Sequence, residues 1–182
     1  MYNYFQDDHR QKIELMRRCT AAALHDVFTF SEELDDVFKI LFFHASGIST
    51  IALFFGCTEV EVMRKIQEWD LYSWFHSPGF QTQLREHNAN YDELPEDPHG
   101  QNQNFRRVQL MRKATSHFNS RQFIWTEAKL QLLHSLFCTG IDISEIALTL
   151  GCTEPMVIQK LLDESYYNSM DFPLFSYNSQ ES

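Results

Sequence analysis

The chain has 182 residues, 15 Lys and Arg against 25 Asp and Glu, and a formal net charge of -10. Its 43% hydrophobic and 22% charged content excludes wholesale disorder, its length suits one domain or two small ones, and no stretch reaches the roughly 18 apolar residues of a membrane span. Lys and Arg supply most non-specific affinity for phosphate, so an acidic chain that handles nucleic acid needs a local basic patch.

The N-terminal MYNYFQDDHR lacks the basic-then-apolar layout of a signal peptide, which points to a cytoplasmic protein with no membrane partner. Cys19, Cys57, Cys138 and Cys152 are too few and too scattered for a disulfide framework. A shift of about 95 residues aligns the chain with itself. Ile48-Ser49-Thr50-Ile51-Ala52-Leu53-Phe54-Phe55-Gly56-Cys57-Thr58-Glu59 falls on Ile143-Ser144-Glu145-Ile146-Ala147-Leu148-Thr149-Leu150-Gly151-Cys152-Thr153-Glu154. Leu15-Met16-Arg17-Arg18 falls on Leu110-Met111-Arg112-Lys113. Roughly a third of positions 11–72 are identical in this ungapped register, so the chain is a tandem duplication.

In the first copy, residues 1–75, the basic stretch Arg10, Lys12, Arg17 and Arg18 precedes the helical pattern. Ser49 is placed to cap a short helix with Ile48 and Leu53 as a hydrophobic staple, and Gly56 turns the chain. Thr58-Glu59-Val60-Glu61 is a capping box opening a third helix that faces inward through Val62 and Ile66. Phe28, Phe30, Phe38, Phe42, Phe43, Phe54 and Phe55 crowd this copy; most read as core, with rings to spare for the other module or for a homo-oligomer. Residues 76–104, with Pro78, Gly79, Pro95, Pro98 and Gly100, read as a polar linker.

In the second copy, residues 105–167, Thr126 caps a helix carrying Leu130, Leu133, Leu136 and Phe137, and Gly140 ends it. Ser144 is placed to cap a short helix with Ile143 and Leu148 as its staple. Gly151 turns the chain, Thr153 caps a third helix with Pro155 in its first turn, and Val157 and Leu161 face inward. Residues 168–182 read as a tail.

The order of capped helix, short Ala-bearing helix, Gly turn and capped third helix is a helix-turn-helix. Trp125-Thr126-Glu127 at the head of a Leu-rich helix, then Ile146-Ala147-Leu148-Thr149-Leu150-Gly151-Cys152-Thr153-Glu154, resembles homeodomain-like modules: Myb/SANT repeats, GcrA-type regulators and region 4 of sigma factors. The resemblance covers the last 40 or so residues of each copy. It implies an all-α protein of two tandem homeodomain-like three- or four-helix modules joined by the polar linker.

It also implies a third helix in the major groove of double-stranded DNA, which here carries Arg64, Lys65 and Gln67 in the first copy and Gln159 and Lys160 in the second. Glu59, Glu61 and Glu68 surround the first set, while Ile158 and Leu162 beside the second suit a protein interface. Upstream, Arg106, Arg107, Arg112, Lys113 and Arg121 run with no acidic residue between 105 and 126, so they and their counterparts Arg17 and Arg18 are the candidate phosphate contacts. No catalytic, metal or cofactor signature is present; Cys57 and Cys152 read as buried turn residues. The expectation is a non-enzymatic DNA-associated transcriptional regulator, with an acidic protein-interaction module or nucleic-acid mimic as the alternative.

Overall fold

In the computed structural model the protein is described at residues 4–23, 28–78 and 101–169. These form helices and turns with no strand among them, the expected all-α class. The helices are α1 (Tyr4–Ala23), α2 (Glu32–Phe43), α3 (Ile48–Phe55), α4 (Glu59–Glu68), α5 (Leu71–Trp74), α6 (Gln101–Thr115), α7 (Glu127–Cys138), α8 (Ile143–Leu150), α9 (Glu154–Asp163) and α10 (Tyr166–Ser169). A shift of 95 carries α2, α3, α4 and α5 onto α7, α8, α9 and α10 end to end, so the duplication holds at backbone level. Left-handed residues recur in the same register: Ala45 with Gly140, Gly56 with Gly151, Asp70 with Ser165.

Local chemistry sets most boundaries. The hydroxyls of Thr58, Thr126 and Thr153 accept from the backbone N–H groups of Glu61, Lys129 and Met156, one orphan donor at the head of each helix. Glu61 turns its carboxylate to Arg64 rather than back to the cap, so only half of the expected capping box forms. Gly56 and Gly151 take φ of 67° and 71° and close α3 and α8.

The short helices differ from expectation. Ile48 and Ile143 are themselves the first helical residues, so neither forms a staple ahead of a cap. Ser49 and Ser144 sit inside the first turn and cap each other's helices: Ser49 Oγ accepts from the Ile143 N–H, and Ser144 Oγ accepts from the Ile48 N–H, both at 2.9 Å. Asp142 caps α8 through the Ser144 N–H and also accepts from the Ser49 and Thr50 N–H groups at the head of α3. Its counterpart by the 95-residue shift is Gly47, where any Cβ would overlap the Asp142 carboxylate.

The two copies pack against each other and share one core. Helix α3 packs on α8 and α4 on α9, while α1 docks on α10 and α6 on α5. Phe38, Phe42, Ile48, Ile51 and Ile66 share one apolar cluster with Leu133, Phe137, Ile143, Ile146 and Leu161. The physical reason is size: a module of about 60 residues buries too little of its own surface to be comfortable alone, and an isologous face covers the remainder. Residues 79–100 of the expected linker and 170–182 of the expected tail lie outside the described residues.

Candidate nucleic-acid interface

Two of the expected phosphate contacts serve the interior. Arg17 and Arg112 are fully buried. Arg17 Nε donates to Glu59 at 3.0 Å, and its terminal nitrogens donate to the carbonyl oxygens of Phe137 and Ile141 and to Ser49 Oγ. Ser49 and Tyr167 also donate to Glu59, at 2.6 and 2.7 Å. The second copy repeats the set: Arg112 donates to Glu154 and to the carbonyl oxygens of Phe42 and Ser46, while Ser144 and Tyr72 donate to Glu154. Each guanidinium also stacks on a ring, Arg17 on Phe137 at 4.4 Å and Arg112 on Phe42 at 4.3 Å.

Every ionised group in these networks is paired and hydrogen-bonded, the condition under which a buried charge is tolerated. Burial, then the Glu154 and Glu59 carboxylates, push the Tyr72 and Tyr167 hydroxyls well above their ordinary range, so both remain protonated donors. Neither Arg17 nor Arg112 can reach a phosphate, and this corrects their assignment. The recurrence of Arg17 at Arg112, visible in the sequence, is the mark of this internal role.

The third helices face each other. Val62, Met63 and Ile66 of α4 and Val157, Ile158 and Leu161 of α9 are buried, and the two helices pack together. Ile158 is 3% exposed and Leu162 packs partly buried against the core, so the expected apolar interface is closed within the chain. The polar residues at the edges of these helices pair locally. Arg64 bonds Glu61, Lys65 lies 3.5 Å from Glu68, Lys160 2.7 Å from Glu164, and Gln159 donates to Asp163 at 2.7 Å. Lys65 also sits 4.1 Å from the centre of the Trp69 ring. Gln67 is exposed and Arg18 half-buried.

Arg106, Arg107, Lys113 and Arg121 remain exposed. Arg106, Leu110, Lys113 and His117 follow one another at steps of four, three and four along α6 and the turn after it, which sets them in one stripe. Val108, Met111 and Arg112 point the other way, into the protein. Beside the stripe opens a cleft of about 830 Å³ lined by His76, Leu110, Lys113, Ala114, His117, Phe118, Asn119, Gln122, Phe123 and Gly151, with no carboxylate among them. His76 follows α5, at the start of the expected linker. Its Nε2 lies 2.8 Å from the Lys113 carbonyl oxygen, an acceptor only, so that nitrogen carries the proton; its ring lies 4.6 Å from that of His117. The sequence placed the cations of this face, but His76, His117 and Phe118 carried no signal because the turn that gathers them depends on the inter-copy packing.

Among the described residues no group of three or more His, Cys, Asp or Glu is arranged to hold a metal ion, and no helix is long and apolar enough to cross a membrane. Burial pushes the Cys57 and Cys152 thiols up to about 12, the Glu61 carboxylate adding to the effect at Cys57, so both are inert turn residues. No family model matches the chain, and neither the curated proteins nor the solved structures contain a match.

Proposed function

We propose that the protein is a non-catalytic, cytoplasmic regulator that associates with DNA through the α6 side of its second copy, by contacts to the phosphate backbone rather than by a helix in the major groove. The observation that carries this reading is the exposed set Arg106, Arg107, Lys113 and Arg121, on a segment with no Asp or Glu between residues 105 and 126, in a chain of net charge -10. A local positive face on an acidic body orients a polyanion and repels it elsewhere. Burial of α4 and α9 against each other argues against base readout by either.

Titration of a labelled duplex across a salt series tests this. Replacing Arg106, Arg107, Lys113 and Arg121 by Ala is expected to abolish binding, with the salt slope falling by about one for each lost phosphate contact. Gln67→Ala and Gln159→Ala are expected to change nothing. Absence of binding at low salt, or loss of binding on the Gln substitutions instead, would remove the reading.

A second reading, association with a protein partner, is favoured by an asymmetry between the copies. The first exposes Leu34, Ile40, Phe54 and Trp74, where the second has Lys129, Ser135, Thr149 and Ser169. Polar residues stand at these places in the second copy, which makes the exposed apolar ones of the first a candidate partner surface. Exchange of Ile40 and Phe54 for the residues of the second copy, followed by affinity capture from cell extract, tests it. Partners that bind the parent and the exchanged variant equally would count against it.

A further inference from the structure

We propose that the cleft between α6 and the end of the first copy receives an unpaired base, so that the nucleic acid held on the α6 stripe is single-stranded at this point. This rests on the reading above, that the α6 side holds a nucleic-acid backbone. Phe118 is 37% exposed at the cleft, and the paired rings of His76 and His117 form part of its wall. Base stacking on exposed rings beside a cationic groove is how single strands are bound without sequence preference. Lys113 lies both on the stripe and in the cleft, so a backbone tracking the stripe arrives with its bases over these rings.

Edge contacts are also provided. Asn119 uses its side-chain oxygen to accept from the Arg121 N–H, which orients its amide N–H₂ group toward other acceptors, and the Gln122 amide lines the same cleft. A cleft of about 830 Å³ lies within the range of small-ligand sites, about 300–1,000 Å³, room enough for a nucleotide.

The first copy supplies an internal control. Its equivalent cleft, about 480 Å³, uses Cys19, Ala23, Phe28 and Gly56 where the second uses Ala114, Phe118, Phe123 and Gly151. Ala22 and Ala23 stand at the positions of His117 and Phe118, and Glu61 lines the wall. The fold therefore makes a hollow in both copies; among the described lining residues the first carries one ring, Phe28, and a carboxylate, Glu61, while the second carries Phe118, Phe123, two imidazoles, Lys113 and the amides of Asn119 and Gln122. A duplex has no unpaired base to offer, and the third helices α4 and α9 are buried against each other.

Fluorescence anisotropy with the full chain tests the inference, using labelled oligothymidylate and oligouridylate of about 16 nucleotides and a duplex of the same length. Both single strands are expected to bind more tightly than the duplex; equal affinity for thymidylate and uridylate means that the site reads the base face and not the sugar. Phe118→Ala is expected to weaken single-strand binding about tenfold and leave duplex binding and the helical circular dichroism unchanged. Lys113→Ala is expected to weaken all three and to flatten the salt dependence. If Lys113→Ala weakens binding while Phe118→Ala changes nothing, or if the duplex binds as tightly as the single strands, the base site is overturned and the backbone reading stands. If none of the three binds at low salt, both are overturned.

Discussion

Arg17 lays its guanidinium 4.4 Å from the centre of the Phe137 ring and donates to the carbonyl oxygen of the same residue, so a side chain of the first copy grips the end of α7 in the second. The last carbonyls of a helix favour a cation, and Glu59 supplies the counter-charge from behind.

Removing one partner should therefore be severe. Arg17→Met leaves Glu59 buried with only Ser49 and Tyr167 as donors and is expected to cost about 3–5 kcal/mol. Arg17→Met combined with Glu59→Gln is expected to cost less than Arg17→Met alone, because the stranded charge has gone. Urea unfolding followed by circular dichroism measures both; a double variant less stable than the single one would contradict the account.

The shared core predicts one unfolding transition. Trp69 belongs to the first copy and Trp125 to the second, and both pack on the common cluster. Variants retaining Trp69 or Trp125 as the sole tryptophan, with Trp74 also replaced, should report the same urea midpoint, which should coincide with loss of helix. Separate midpoints would mean that the copies unfold independently.

Gly140 and Gly151 share a left-handed φ of 71° but differ in surroundings. A Cβ at Gly151 meets open space, so Gly151→Ala is expected to cost about 1 kcal/mol for conformation alone. A Cβ at Gly140 would overlap the backbone of Arg10 in α1, so Gly140→Ala must displace that helix and is expected to cost distinctly more. Thermal midpoints of the two variants rank them, and an equal loss would remove the α1 contact from the explanation.

Stability should fall on the alkaline side. The Cys57 and Cys152 thiols titrate at 9.0 in an ordinary setting and at about 12 in the folded protein, so the unfolded chain releases its protons first. Their contribution is complete below 9.0 and is lost as pH rises toward about 12. Tyr72 and Tyr167, also raised, deepen the loss above 10.0. Replacing both cysteines by Ala should flatten the decline of the urea midpoint just above pH 9.0; an unchanged slope would mean that these thiols are not shielded.

Much of this fold is legible in the sequence because its signals are local. Thr58, Thr126 and Thr153 announce helix starts with their own hydroxyls, and Gly56, Gly140 and Gly151 announce the turns. Ser49 and Ser144 carry the same cap signal, but their hydroxyls cross to the other copy, a partner some 95 residues away that no local pattern encodes. The candidate site divides in the same way. Arg107 and Lys113 read as surface cations and are surface cations, while Arg112 reads the same in sequence and is buried, because burial is decided by where Glu154 and the Phe42 carbonyl oxygen come to rest.

Asp142 also makes the pairing of the two halves directional. One carboxylate serves the heads of both α8 and α3, and Gly47 leaves the space it occupies. Two second copies brought together in this arrangement would set two such carboxylates against each other, and two first copies would have neither. At this contact each half is therefore completed by the other and not by a copy of itself.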